Sequence, residues 1–304
     1  MPALAPNTSD VVDAMSDADL AAHIAQLRKE KGGNSRVIEV SEGHFTKRYE
    51  EQDVENAKCA MMKAEALGVA VPSVKQVVRR GEVFEIVQAR IHDHDLMTIW
   101  SDLGLLSTVR LAFQMRGMLR RMETATSPTA GSLGTGLCRS FWIENDIYGI
   151  PRHASPATIS SIVNFWHNLV SFRQESKKTP EEHRESCLLP RTPEKGFVFV
   201  HHDLAPRNIM LENITGKLWL VDWDYAGFYP AYFEHAAMHN FIPPPEWSWF
   251  SRWRWRLFAW IATGLYSGAR AMLVEVRRKT HRFPASRRFN VKAGASPSVK
   301  AADD

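Results

Sequence analysis

Cysteine is scarce in this chain: Cys59, Cys138 and Cys187 are the three among 304 residues. They are odd in number and far apart, and no Cys-x-x-Cys pair or His/Cys cluster points to zinc. That usage fits a reducing compartment and ordinary packing roles. Met1 to Asp10 lack a basic segment followed by an apolar stretch, so no secretion signal is read there. Long apolar runs are missing as well. The nearest approach, Leu257 to Val274, is interrupted by Arg270 and diluted by Gly264, Ser267 and Gly268. It falls short of the roughly 20 apolar residues that a membrane span needs, and a buried helix is expected instead. A cytoplasmic protein with no membrane partner is the expectation. Neither sign of charge dominates: the formal net charge is +4. Much of it lies in Arg277, Arg278, Lys279, Arg282, Arg287 and Arg288. Such a run reads as a solvated helix end and tail, and no nucleic-acid partner is expected. The sequence leaves the oligomeric state unknown.

What is present is a globular composition, 24% charged and 44% apolar. The length suffices for two lobes with a substantial core. Residues 1–16 are small, polar and loose. Asp17 to Lys29 reads as an amphipathic helix capped by Ser16 or Asp17, with Leu20, Ile24 and Leu27 on one face. Arg36 to Val40 and His44 to Tyr49 read as strands of a hairpin around Ser41-Glu42-Gly43. Asp53 to Leu67 is helical, with Ala57, Ala60, Met61 and Ala64 at steps of three and four. Lys75 to Arg79 and Val83 to Gln88 form a second hairpin across Arg80-Gly81-Glu82. From Leu96 the pattern turns helical: Leu96 to Trp100, Leu106 to Met122, Ala157 to Glu175, Pro180 to Ser186, Tyr232 to His239 and a long stretch from Trp249 to Val276. Thr124 to Arg139 reads as loop. Residues 284–304 have the composition of a disordered tail. There is no internal repeat.

The densest polar chemistry sits in two β-type segments. Phe197-Val198-Phe199-Val200 runs into His201-His202-Asp203-Leu204-Ala205-Pro206-Arg207-Asn208. Lys217 to Val221 runs into Asp222-Trp223-Asp224, nineteen positions past Asp203. Strand-ending loops that carry Asp and Asn can hold a divalent metal beside a reacting hydroxyl. Magnesium takes oxygen ligands, usually one or two carboxylates together with substrate phosphates. Asn208 and Asp222 can supply that ligation, which leaves Asp203 to orient or deprotonate an alcohol. Asp224 either reaches a second metal or caps the turn at Tyr225-Ala226-Gly227. Arg207 meets either a phosphate or a carboxylate. His201 reads as structural, since hard magnesium prefers oxygen.

These residues resemble the catalytic loop and metal-binding strand end of the kinase-like phosphotransferases. The pattern is most similar to the aminoglycoside phosphotransferase / choline kinase branch, in its fungal form. The resemblance implies an α+β, bilobal protein kinase-like fold with a small antiparallel-sheet N-lobe over residues 17–91. A mostly helical C-lobe would span 92–283 and carry the catalytic loop and metal site. It implies ATP and Mg2+ as cofactors, Asp203 as the catalytic residue, and Asn208 and Asp222 as metal ligands. It places the nucleotide-binding residues at Lys47 on its strand, Glu55 as the helix acid that steadies Lys47, and Gln88 and Arg90 in a hinge at Gln88-Ala89-Arg90-Ile91. Glu51 and Asp53 compete with Glu55 for that role. Lys31-Gly32-Gly33-Asn34 lies where a phosphate loop belongs, without the GxGxxG of protein kinases, and the region ahead of the first hairpin is short for the usual first strand.

The expected reaction moves the ATP γ-phosphate to a hydroxyl of a small molecule that is aminoglycoside-, choline- or sugar-like. An atypical protein kinase is the alternative, but Ala205 stands where Ser/Thr protein kinases carry Lys. The next helix also starts about ten residues past Asp222, which leaves no peptide groove. A non-catalytic kinase-like binding protein is the other alternative, and the intact Asp203, Asn208 and Asp222 count against it. An acidic acceptor pocket could draw on Asp93, Asp95, Glu144, Asp146 and Glu234. An aromatic wall for a quaternary ammonium could draw on Trp247, Trp249, Trp253, Trp255 and Trp260, although helical spacing assigns most of these to the core.

Overall fold

Ser16 opens the first helix, its hydroxyl accepting from the Asp19 N–H at 3.3 Å. This is α1, Asp17–Glu30, in a computed structural model that describes residues 11–31, 35–92, 94–142, 150–168 and 196–282. Strand β1, Val37–Glu39, turns through residues 40–43 into β2, His44–Glu50. Helix α2, Glu51–Ala66, follows, then β3, Val74–Arg80, and β4, Val83–Ala89. Gly81, with φ +66°, turns the second hairpin in left-handed backbone that suits glycine. The four strands form one antiparallel sheet in the order β1-β2-β4-β3.

Alternation along β2 and β4 gives this sheet two working faces. Ile38, Val78 and Val87 pack under Leu20 and Ile24 of α1. Tyr49 and Ile86 face the other way, against Val54, Ala57, Ala60 and Ala64 of α2. A buried charge ties α1 down. Arg28 donates to both oxygens of the fully buried Glu85, each at 2.7 Å, and Thr46 and Arg80 donate to it at 3.3 Å. Arg48, on that same face, stands 3.7 Å from Glu85.

Past this sheet come β5, His94–Asp95, α3, Leu96–Ile99, α4, Leu105–Glu123, β6, Thr126–Ser127, and α5, Pro156–Asn168. The stretch read as loop from Thr124 to Arg139 thus contains a short strand, because Thr126 and Ser127 pair with the strand that leads into His201. That strand is β7, Phe197–Val200, and it also pairs with β10, Gly227–Tyr229. Between them β8, Ile209–Glu212, and β9, Lys217–Leu220, form a hairpin that β5 extends. Helix α6, Tyr232–His239, follows.

The long helix expected from Trp249 to Val276 is two helices. α7, Trp249–Thr263, stops at Gly264, whose φ of +79° no helix interior accepts, and α8, Ser267–Arg282, leaves at a bend of 111°. Among the described residues no single helix is long and apolar enough to cross a membrane. The indoles of Trp247 and Trp255 are core. Trp100 stacks on Trp247 at 5.8 Å and meets Trp255 edge-on at 5.4 Å, so these two form no open wall. Lys279, read as solvated, is buried and donates to the His167 carbonyl. Several expectations lie outside the described residues: Met1 to Asp10, Gly32 to Asn34, Asp93, Glu144, Asp146, the helix beyond Asn168, Pro180 to Ser186, Cys187 and the tail from 284.

Candidate active site

The loop that follows β7 is held from behind. β7 delivers His201 and His202 to a point where the buried Glu234, in the first turn of α6, accepts their backbone N–H groups. His201 N–H reaches it at 2.5 Å and His202 N–H at 3.3 Å. Burial pushes the Glu234 carboxyl up to about 8, against the pull of those two N–H donors. Glu234 therefore supports the loop and does not belong to an acidic acceptor pocket. Asp95 is likewise engaged, capping α3 through the Thr98 N–H at 2.8 Å.

His201 donates through Nε2 to the Val221 carbonyl at 3.0 Å, and its Nδ1 accepts from the Asp203 N–H at 3.3 Å. Both ring nitrogens are thus spent on stitching the two strand ends together. Burial holds its pKa below the ordinary histidine range. His202 is fully buried against Tyr229 and Phe233, shares a hydrogen bond with Ser140 at 2.7 Å, and is driven down to about 3 by burial. Both His202, at φ +72°, and Asp222, at φ +68°, hold left-handed backbone that non-glycine residues seldom adopt.

The structure brings Asp203, Asn208, Asp222 and Lys47 together. The Asn208 side-chain amide donates to the Asp203 carbonyl at 2.8 Å and to its carboxylate at 2.9 Å. Val221 N–H donates to the Asn208 carbonyl at 3.1 Å, which sets Asp222 beside that pair. Lys47 Nζ lies 2.6 Å from Asp222 and 2.9 Å from Asp224. Burial pushes the Asp222 carboxyl up, but the Lys47 ammonium, with His201 and Arg36, outweighs it, and the group titrates below the usual carboxylate range. Arg207 resolves its two readings by pairing with Asp203 itself, 2.8 Å from each carboxylate oxygen.

Glu55 is a correction. Among the described residues no ion pair joins Lys47 to Glu51, Asp53 or Glu55; Asp222 and Asp224 take the lysine instead. Glu55 accepts from the Cys59 thiol at 3.2 Å and lies 3.9 Å from Lys58. The cause is a clamp on α2. Asp53 pairs with Arg139, and the Asn56 side-chain oxygen accepts from the Thr135 N–H at 2.9 Å, so this helix is tied to the 124–139 loop. Gln88 is buried on β4, in register with Phe45 and on the Lys47 face of the sheet. Arg90 follows the strand, its N–H on the Gly43 carbonyl at 2.8 Å and its guanidinium on Glu39.

The roles of Arg36, Tyr49 and Glu234 escaped the sequence reading. Arg36 reaches Asp224 at 3.1 Å. Tyr49 lies under Lys47, whose ammonium is 5.4 Å from its ring, and burial together with the Asp224 carboxylate raises its phenol. Two-residue spacing from Lys47 on one strand was the available signal for Tyr49. Glu234 gave none. Among the described residues no group of three or more His, Cys, Asp and Glu could hold a metal ion. The corner offers two carboxylates and the Asn208 amide oxygen. Such hard oxygen donors fit Mg2+ when phosphates and water complete the shell.

Residues 156–268 match the model of the phosphotransferase enzyme family. No curated protein matches the chain. Among solved structures, it is similar to a thermostable mutant of aminoglycoside phosphotransferase APH(4)-Ia in its apo form. The identity is 15% and the TM-score 0.50, over 86% of this chain and 93% of that one. Aminoglycoside phosphotransferase APH(3'')-Id from Streptomyces rimosus aligns at 14% identity and a TM-score of 0.47, covering 86% and 98%. A choline/ethanolamine kinase family protein from Mesorhizobium loti aligns at 12% and 0.42, covering 87% and 82%. The likeness to the first gives the fold as kinase-like, α+β, with antiparallel strands first and helices after. The match over residues 156–268 makes this part of the chain similar to the phosphotransferase enzyme family, and with the kinase-like fold it supports a kinase-type enzyme.

Proposed function

We propose that this enzyme transfers the γ-phosphate of ATP, with Mg2+, to a hydroxyl of a small molecule that is aminoglycoside-, choline- or sugar-like. Residues 17–91 act as the nucleotide-binding lobe, with Lys47 on the nucleotide phosphates and Gln88 and Arg90 beside the base. Residues 92–283 carry the catalytic loop. The observation that carries the reading is two adjoining groups, Asp203 with Asn208 at 2.9 Å and Lys47 with Asp222 and Asp224 at 2.6 and 2.9 Å, tied together by the Val221 N–H on the Asn208 carbonyl at 3.1 Å. Asn208 and Asp222 would hold the magnesium, and Asp224 stands beside them on Lys47.

Phosphoryl transfer asks the protein mainly to position reactants and neutralise charge on the transferring group. Bound Mg2+ would supply much of that neutralisation. Asp203 orients the acceptor hydroxyl and takes its proton, and Arg207 and Asn208 fix the carboxylate from two sides. Glu234 and His201 keep the loop in register behind it. Lys47 balances Asp222 and Asp224 until nucleotide phosphates enter. The test is a phosphotransfer screen over aminoglycosides, choline-like amines and sugars, with Asp203→Asn as control. Turnover of one acceptor class by wild type and its loss in the variant is the expected result. Equal turnover by both removes the assignment.

A further inference from the structure

Large apolar side chains left in solvent gather along two neighbouring helices. On α7, Trp249 is 79% exposed, Trp253 44% and Trp260 49%. Trp249, Trp253, Arg256 and Trp260 recur at steps of four, three and four, which sets them on one stripe. α4 lies alongside and parallel. Arg254 donates to the Thr108 hydroxyl at 3.1 Å near one end, and Arg116 to the Ile261 carbonyl at 2.9 Å near the other. α4 adds Leu106, 85% exposed, and Phe113, 60%, seven residues apart and so on a stripe of their own. Apolar groups gathered like this in solvent mark an interaction surface.

Charge identifies what the face meets. On its outer side α7 carries Arg256 and the half-buried Arg252 and no carboxylate, while Arg254 is buried against Trp100 and Thr108. α4 carries Arg110, Arg116, Arg120 and Arg121 against Glu123 alone. The nearest flanking carboxylates, Asp102 and Glu246, precede the two helices. Beside the Trp stripe, Arg256 and Arg270 line a cavity of about 260 Å³ with no Asp or Glu in its lining. Packing this face against a second copy of itself would set guanidinium against guanidinium. An anionic partner with an apolar interior suits it. Indole rings settle at bilayer interfaces, where the ring meets acyl chains and the N–H meets headgroups. Arginine side chains bury their stems and keep the charge among phosphates.

We propose that the α4–α7 face docks on the surface of an anionic phospholipid bilayer. Trp249, Trp253 and Trp260 enter the boundary between headgroups and acyl chains, and Arg256 and Arg270 take the lipid phosphates. The sequence reading expected no membrane partner because no apolar run is long enough to span a bilayer, and helical spacing assigned most of these tryptophans to the core.

The test uses the full chain and phosphatidylcholine vesicles with and without phosphatidylserine. The expected result is co-sedimentation with the phosphatidylserine vesicles, a blue shift of tryptophan emission, and release as salt screens the charges. Arg256→Gln and Arg270→Gln each weaken binding about fivefold. Trp249→Ser with Trp253→Ser abolishes the shift and most of the binding. All variants keep the wild-type melting temperature, since these side chains pack little core. No co-sedimentation with phosphatidylserine vesicles, or equal binding by wild type and the double Trp variant, overturns the proposal. So does a dimer, seen by light scattering, that the double Trp variant converts to monomer.

Discussion

Asp203 illustrates what one residue can be asked to do. Its carboxylate is gripped by Arg207 and Asn208, so the Asn substitution keeps much of the geometry and removes only the basic oxygen. Asp203→Asn should cut turnover roughly 10²–10⁴-fold. Nucleotide binding should stay near wild type by thermal-shift titration. Asp222→Asn should weaken nucleotide binding as well, because Lys47 pairs with that carboxylate and the proposed cation would share it. Glu234 gives a second handle. A carboxyl held up at about 8 keeps a proton in the fold that the unfolded chain has already released above its ordinary value. Its contribution to stability is therefore full below about pH 4.5 and declines as pH rises toward 8, by about 1.4 kcal/mol per unit at most. Glu234→Gln should remove that slope. Unfolding midpoints of wild type and variant, compared from pH 5.5 to 8, should diverge in favour of the variant. A gap that is constant across that range would refute the buried, protonated state. The motif around Asp203 was legible because its spacing is local. The role of Glu234 was not, because its partners lie 32 and 33 residues away across a buried contact.

At the scale of elements, two devices fix the arrangement. Glu85 is buried among Arg28, Arg80 and Thr46, and it joins α1 to the sheet. Glu85→Ala would strand the Arg28 guanidinium without its partner and should cost about 3–5 kcal/mol in chemical denaturation. The break between α7 and α8 is the other. A side chain at Gly264 would meet nothing within 4 Å, so backbone strain alone is at issue. Gly264→Ala should destabilise by about 1–2 kcal/mol. Gly268→Ala, equally free of contacts but inside α8, should stabilise by up to about 1 kcal/mol. Like signs for the two would refute the assigned break. Hairpins and most helices were legible from periods of two and 3.6. The break was not, because Gly264, Ser267 and Gly268 only diluted an apolar pattern that continued on both sides.

At the scale of the whole molecule, contacts between distant segments converge on one corner. Lys47 and Arg36 reach Asp222 and Asp224, while Asp53 and Asn56 of α2 are fixed to Arg139 and Thr135. A nucleotide that binds this corner should stabilise the fold by about 2.7 kcal/mol at a hundredfold excess over its dissociation constant. Lys47→Met should remove most of that gain in a thermal-shift titration with ATP and Mg2+. An unchanged shift would detach Lys47 from the nucleotide. The sequence by itself determined the make-up of this corner: an Asp, an Asn and a second Asp, at local spacings that two strand ends present together. The tertiary structure alone decided which acid holds the lysine, which tryptophans are inside, and what supports the loop. Those outcomes depend on packing between residues far apart in the chain, and no local period or spacing encodes them.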